Sequence, residues 1–138
     1  MKAHISHMPR IILAWNLPES GEARRALDAA AGAAGVPVRP VGSADAGSTV
    51  GRLCGFAGAS EASLLLYLPA DAYPPAAIFC GLREKELDQV LAALRAAGAA
   101  IPLKAVVTPH NQSWPLCELL KELEQEHAAL HPAANTDE

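Results

Sequence analysis

The fold is decided by residues 76–130, which read AAIFCGLREKELDQVLAALRAAGAAIPLKAVVTPHNQSWPLCELLKELEQEHAAL. The short apolar run Ala76–Cys80, closed by Gly81, is typical of a buried strand. The next segment, residues 83–97, carries apolar side chains at the i, i+3, i+4, i+7 spacing of an amphipathic helix. They are Leu87, Val90, Leu91 and Leu94. A strand followed by a helix is therefore predicted here.

The remainder of this stretch predicts a second strand and a second helix. Gly98 supplies a helix stop signal, because glycine enters the left-handed conformation without steric cost. Residues 101–107 are rich in β-branched side chains and predict a strand, and residues 108–114 form the loop that follows it. Asn111 is expected to act as a turn residue in this loop through its side-chain oxygen. Ser113 is expected to cap the last helix, and Pro115 suits its first turn. The predicted apolar face of that helix comprises Leu116, Leu119, Leu120, Leu123 and His127.

The order of these motifs resembles one known family. Residues 76–130 contain F-x-G, then E-L-D-x-V-L-x-A-L, then I-P-L-K-A-V-V-T-P-H-N-x-S-W, and finally L-L-x-E-L-x-x-E-H. The combination is similar to the bacterial family called domain of unknown function 3783. The resemblance implies a β-α-β-α fold unit and a bacterial cytoplasmic setting, and it implies no reaction.

The first half of the chain repeats the pattern. Residues 10–15 predict a strand, residues 18–34 a helix, and residues 36–41 a second strand. The inner face of that helix is expected to comprise Ala23, Ala26, Leu27, Ala30 and Ala34. The segment VPVRPV at 36–41 matches IPLKAV at 101–106, and residues 48–54 echo the start of the last helix. We therefore predict an internal duplication of β-α-β-α units, with pseudo-repeats at residues 9–58 and 76–130.

Prolines indicate the order of the strands. A proline cannot donate to a central ladder, so Pro37 and Pro40 favour an edge position for the second strand and Pro102 does the same for the fourth. Right-handed crossovers then predict an α/β fold of three layers, with about four parallel strands in the order 2-1-3-4. The two halves would be related by a twofold axis along the strands. A ferredoxin-like hairpin between strands 2 and 3 is disfavoured by the long connection between them.

The length of 138 residues suits one domain. We expect it to span residues 9–130. Residues 1–8 resemble a cloning scar and are treated as vector-derived or disordered, so His4 and His7 are poor metal ligands. Residues 131–138 are expected to be a disordered tail. Within residues 59–75 the apolar run 63–68 stays unassigned, as an extra strand or a helical turn.

Composition excludes several classes of function. The net charge of −4 and the absence of a Lys/Arg cluster argue against nucleic acid as a partner. Three widely spaced cysteines do not suit a disulfide framework or a zinc knuckle, so buried reduced thiols are expected. No apolar run reaches the length of a membrane span or of a signal peptide. A cytoplasmic protein without membrane contact is predicted.

Three arrangements could carry chemistry, and each has a simpler structural interpretation. Residues 42–49 have the glycine spacing of a phosphate-binding loop, but Ser48 stands where lysine is needed. Cys80 at a strand end and His110 after the neighbouring strand could form a nucleophile and base, although a third member is not evident. His127 and His131 are four residues apart on a helix, yet a structural zinc site needs four ligands. We therefore predict no cofactor and no metal.

The expected ligand site follows from a general rule for open parallel sheets. Ligands bind beyond the carboxyl ends of the strands, where the strand order reverses. In the order 2-1-3-4 this point lies between strands 1 and 3. The predicted site residues are Asn16, Gly81, Arg83, Thr108, His110 and Asn111. Arg83 and the free N–H groups of its helix would suit a small anion or a partner's carboxylate.

Two functional classes remain open from the sequence. The first is a non-catalytic binding or interaction module whose partner is an unknown protein or a small anionic ligand. The alternative is a small cysteine-dependent enzyme that uses Cys80 and His110. The sequence leaves open whether the protein forms a homodimer.

Overall fold

The computed structural model describes residues 9–56 and 68–130. All eight predicted elements are present, with ends that differ by a few residues. They are β1 (Ile11–Trp15), α1 (Glu22–Ala34), β2 (Val38–Val41), α2 (Val50–Cys54), β3 (Ala76–Cys80), α3 (Glu84–Ala96), β4 (Leu103–Val106) and α4 (Leu116–Leu130). No helix among these residues is long and apolar enough to cross a membrane. The predictions for residues 1–8, 63–67 and 131–138, and for His131, lie outside the described residues.

The strands form one sheet in the order β2-β1-β3-β4, which confirms the predicted order. The strands β2 and β4 occupy its edges, as the prolines indicated. Pro40 lies opposite Ala14 of β1, and Pro102 directly precedes β4. Because an edge strand leaves alternate N–H groups unpaired, Pro40 interrupts no ladder there.

The prediction that all strands are parallel is wrong. The pairs β1–β2 and β3–β4 are parallel, but β1 and β3 are antiparallel, with Leu13 opposite Ile78 and Trp15 opposite Ala76. The apolar pattern of β3 reads the same in either direction, since all five of its residues are buried. The connection over residues 55–75 is long enough for β3 to enter from either end. Spacing along the chain therefore left the direction of β3 undetermined.

The antiparallel centre changes which helices share a face. When two right-handed β-α-β units lie side by side with antiparallel central strands, their crossover helices lie on the same face of the sheet. Helices α1 and α3 accordingly contact each other and pack on one face, whereas α2 and α4 cover the other. The predicted twofold axis along the strands requires β1 and β3 to be parallel and is therefore wrong.

The sheet separates two apolar cores. On the α1/α3 face, Ile12, Ala14 and Phe79 pack with Leu27, Val90 and Leu94. The α2/α4 face is built from Leu13, Trp15, Ile78, Val50, Leu53, Leu116, Leu119, Leu120 and Leu123. Every residue of β3 is buried because both of its faces and both of its edges are covered.

The inner face of α1 differs in part from the prediction. Leu27 and Ala30 are buried as expected, but Arg24 and Ala31 are buried as well. Burial of a guanidinium requires hydrogen-bond partners. Arg24 Nε donates to Asp28 at 2.9 Å and Nη1 to the Leu17 carbonyl at 3.3 Å, so this side chain ties α1 to the loop after β1.

N–H groups in the first turn of α2 donate to carbonyls of the loop before α4, and N–H groups in the first turn of α4 donate to carbonyls of the loop before α2. The N–H of Val50 donates to the Trp114 carbonyl at 2.9 Å, and the N–H of Leu116 donates to the Ser48 carbonyl at 2.8 Å. A second reciprocal pair runs from Gly51 to Gln112 and from Cys117 to Ala46. Carbonyls of the opposite half thus satisfy N–H groups that a helix leaves free. The structure shows no capping bond from Ser113, so its predicted role as a cap of α4 is wrong.

Candidate functional site

The predicted pair of Cys80 and His110 differs in burial and in contacts. Cys80 is fully buried in the α2/α4 core. His110 is exposed in the loop after β4, and its ring lies edge-on to Trp114 at 5.3 Å between centroids. No described contact joins the two side chains. The structure therefore gives Cys80 no base.

The partner of Cys80 is a second thiol. Cys54, at the end of α2, donates a hydrogen bond to the Cys80 sulfur. This bond, with burial, raises the pKa of Cys54, and the same bond lowers the pKa of Cys80. Burial raises the pKa of the third thiol, Cys117. All three cysteines are free and buried, as the sequence predicted.

The six predicted site residues do not meet at one rim. Asn16 follows the carboxyl end of β1, which lies beside the start of β3. Gly81 follows the carboxyl end of β3, which lies beside the start of β1, so the two residues are on opposite sides of the sheet. Asn16 Nδ2 instead donates to the Tyr73 carbonyl at 3.0 Å, which also accepts from Trp15 Nε1 at 3.3 Å. Asn16 thus fastens the segment before β3 to the end of β1. The predicted switch point depended on a parallel β1–β3 pair, which is absent.

Arg83 lies beyond the carboxyl end of β3, and its guanidinium is close to the Glu86 carboxylate. Its guanidinium lies 3.6 Å from Glu86, whose carboxylate is also paired with Arg10. Glu86 Oε1 accepts the Arg83 N–H at 2.9 Å. That hydrogen bond and the two arginines lower the pKa of Glu86. One N–H donor expected to receive an anion is therefore engaged within the protein, whereas the Arg83 guanidinium stays largely exposed.

Thr108 and Asn111 organise the loop after β4. The Thr108 N–H donates to Asn111 Oδ1 at 2.9 Å, and the Asn111 N–H donates to Thr108 Oγ1 at 3.1 Å. Asn111 Nδ2 also donates to the Val106 carbonyl at 3.2 Å. The predicted role of Asn111 as a turn residue that uses its side-chain oxygen is confirmed.

Several backbone donors in the loop over residues 42–49 are engaged within the protein. The Asp45 carboxylate accepts the Gly42 N–H at 2.8 Å, and the Ser48 N–H donates to the Asp45 carbonyl at 3.0 Å. The first N–H groups of α2 point to the carbonyls of Trp114 and Gln112. Metal ligands are also scattered, since residues 9–56 and 68–130 hold no group of three or more His, Cys, Asp or Glu side chains suited to an ion.

The largest concave feature described lies between the outer edge of β4 and helix α4. This groove, which we call the β4–α4 groove, encloses about 450 Å³. Ala105, Leu119 and Leu123 contribute apolar surface. Trp114 and His110 stand at one end, and Glu122 and Glu126 form the outer wall.

The edge of β4 leaves backbone groups exposed to this groove. The N–H groups of Leu103 and Val107 donate to β3, at 3.1 Å to Pro75 and at 2.9 Å to Phe79. Alternate residues of a parallel strand face opposite neighbours, so the backbone groups of Lys104 and Val106 point outward. The Val106 carbonyl is satisfied by Asn111. No described strand pairs with the remaining outward groups of Lys104 and Val106.

Exposed apolar residues lie beside the same groove. Among the described residues the strongly exposed large hydrophobics are Val106 at 47 % and Leu130 at 78 %. Val106 lies at the strand edge that lines the groove, but its side chain points to the face of the sheet opposite to that of Ala105 and Val107. Leu130 lies in the depression that continues the groove past Lys104 and Leu123. The sequence did contain a signal for this surface. Glu118, Glu122 and Glu126 recur at every fourth position of α4, beside a strand that has an apolar residue on its outer side.

Residues 75–130 match the model of a family described as Domain of unknown function (DUF3783). These residues are therefore similar to that family. This confirms the resemblance inferred from residues 76–130. Comparison with curated proteins and with solved structures gave no significant match.

The matched segment coincides with one half of the sheet. It begins just before β3 and ends with α4, so it contains β3, α3, β4 and α4 complete. The β4–α4 groove lies wholly inside it, as do His110 and Asn111 of the predicted site residues. The family match and the main concave surface therefore fall on the same half of the molecule.

Proposed function

We propose that this protein is a non-catalytic binding module and that the β4–α4 groove holds a protein partner. The observation that carries the proposal is the exposed edge of β4 beside an apolar groove. An edge flanked by Ala105, Trp114 and Leu123 has the features of an interaction surface.

The chemistry of the groove favours a protein over a small anion. Glu122 and Glu126 give its wall negative charge, which would repel an anionic ligand. Arg83, the cation expected to attract one, is paired with Glu86. Of the six predicted site residues, His110 and Asn111 belong to the proposed surface.

The alternative of a cysteine enzyme receives less support. A nucleophile needs a base within hydrogen-bond reach and access for substrate. Cys80 contacts Cys54 and is fully buried, and the contact described for His110 is with Trp114. These features suit thiols that serve packing.

Two further predictions remain part of this proposal. The internal duplication is supported by the reciprocal hydrogen bonds between α2 and α4, and by the positive φ of Asn16 (56°) and Gly81 (76°) directly after β1 and β3. Two fused copies of a β-α-β-α unit, of which one retains the binding groove, would account for the reciprocal hydrogen bonds and for the two positive φ angles. The bacterial and cytoplasmic setting is proposed from the sequence.

Photo-crosslinking in the native host cells tests the proposed surface. The photoreactive residue benzoylphenylalanine replaces Glu122, which lines the groove, or Gln125, an exposed residue of the same helix that does not. We expect discrete crosslinked products from position 122 and none from position 125. Absence of products at both positions, or identical products at both, would contradict the proposal.

A further inference from the structure

We propose that the β4–α4 groove receives an extended basic segment of a partner protein, which adds to β4 as a fifth strand. This inference rests on the proposed function and specifies the kind of partner. It is carried by three features of the groove, namely its backbone groups, its apolar surface and its charge.

The backbone groups offer an incomplete ladder. The outward N–H and carbonyl of Lys104 and the outward N–H of Val106 lie along one edge, spaced as in a strand. An added strand would pair with these three groups. The Val106 carbonyl already accepts a hydrogen bond from Asn111, so pairing with the added strand would end at this residue.

The opposite edge of the sheet explains why β4 is the docking edge. At β2, Pro40 lies opposite Ala14 of the central strand, and at β4, Val106 lies opposite Phe79 in the corresponding place. Both residues point their backbone outward, but proline has no N–H to offer. The β2 edge therefore lacks a donor where the β4 edge has one.

The apolar surface would receive alternate side chains of the added strand. In an extended segment every second side chain faces the same way. Those that face α4 would lie over Ala105 and Leu123, with Trp114 at the end of the groove. Burial of that surface would remove the exposed parts of Ala105 and Trp114 from water.

The charge selects a basic segment. Glu122 and Glu126 stand along the outer wall, and Glu118 continues the row beside Trp114. The nearest cation, Lys104, donates its Nζ to the Ile101 carbonyl at 2.7 Å and is held by its own chain. A lysine or arginine of the partner would therefore meet carboxylates along α4. A second copy of this chain fits less well, since pairing of two β4 edges would bring the same glutamates of both copies together.

The test begins with a twelve-residue random peptide library displayed on phage and selected against the full chain. We expect the selected peptides to alternate apolar residues with lysine or arginine. Synthetic versions are then measured by fluorescence anisotropy. The double variant Glu122→Gln with Glu126→Gln should bind about tenfold more weakly, a factor that shrinks as salt is added. Glu124→Gln, an exposed change on the same helix away from the groove, should bind as the parent does.

Backbone pairing is tested on the peptide, so that folding of the protein is not at issue. Methylation of the peptide nitrogens that face β4 should weaken binding about tenfold or more, because each removes a hydrogen bond. Methylation of the nitrogens in between should have little effect. Val106→Pro should also abolish binding, with its fold checked by circular dichroism.

Several results would overturn the inference. They are selection of no peptide, selection of peptides without basic residues, equal effects of the two methylation patterns, or a stable dimer that Val106→Pro converts to a monomer. Each of these would leave the proposed function standing if the crosslinks at position 122 persist. Loss of those crosslinks would remove the proposed function itself.

Discussion

The three cysteines provide the most direct test against a catalytic thiol. Cys80 is fully buried, and Cys54 and Cys117 are 4 % and 8 % exposed. Access for reagent, more than the lowered pKa of Cys80, should therefore control reactivity. We expect Ellman's reagent to label native protein slowly at pH 8, and to titrate all three thiols at once in denaturant. Rapid labelling of Cys80 below pH 7, lost in Cys80→Ala, would favour the enzyme alternative.

Glu86 connects stability to pH. Its pKa is lowered by the Arg83 N–H, Arg10 and the Arg83 guanidinium, so the folded state binds a proton less readily than the unfolded state. The stabilisation is present above the unfolded pKa of glutamate, about 4.3, and is lost as pH falls through the folded value. Glu86→Gln should lower the melting temperature at pH 7, and the difference from the parent should vanish in acid. Calorimetry from pH 7 to 3 measures this, with Glu124→Gln as the control.

Among the elements, α2 and α4 differ in capping at their N-termini: Thr49 caps α2, whereas the predicted cap of α4, Ser113, does not form. Thr49 is 5 % exposed, and its Oγ1 accepts the Arg52 N–H at 3.2 Å. Thr49→Ala should therefore reduce the free energy of unfolding by about 0.5–2 kcal/mol. Ser113→Ala should change it by less than about 0.5 kcal/mol, because Ser113 is exposed and caps no described N–H group. Equal losses in urea unfolding would show that Ser113 does cap α4.

The helix faces predict a second contrast. Leu91 and Leu120 both lie in the middle of an apolar stripe, and the sequence alone gives them equal weight. In the structure Leu120 is fully buried, whereas Leu91 is only partly buried at the rim of the α1/α3 core. Leu120→Ala should cost about 2–5 kcal/mol, and Leu91→Ala clearly less. A larger loss for Leu91→Ala in denaturant unfolding would mean that α3 is rotated relative to this description.

On the scale of the whole molecule, the direction of β3 is the feature to measure. Antiparallel neighbours bring α-protons close together across the strands. We expect cross-strand nuclear Overhauser effects between the α-protons of Ile12 and Phe79 and between those of Ala14 and Ala77, which are the non-hydrogen-bonded pairs of the two strands. A contact between Ile11 and Ala76 would instead indicate the parallel arrangement. Amides of β1 and β3 should exchange most slowly, because both strands are central.

The direction of β3 also explains what happened to the predicted site. Gly81, Arg83, Thr108, His110 and Asn111 follow β3 and β4, which are parallel and end on the same side of the sheet. Asn16 was included because β1 was expected to end on that side too, but the antiparallel pairing places it on the other side of the sheet. The groove was missed because it depends on how α4 lies beside β4, which residue spacing does not specify.

Local patterns in the sequence were sufficient for the eight elements, the edge positions of β2 and β4, the burial of the cysteines and the turn at Asn111. Each of these depends on neighbours along the chain, through periodicity, a missing N–H or a short side-chain hydrogen bond. The direction of β3, the face shared by α1 and α3, the backbone caps of α2 and α4, and the groove depend on contacts between the two halves. Those contacts join residues far apart in sequence, and an apolar strand such as Ala76–Cys80 packs equally well in either direction. Only the tertiary structure decides between them.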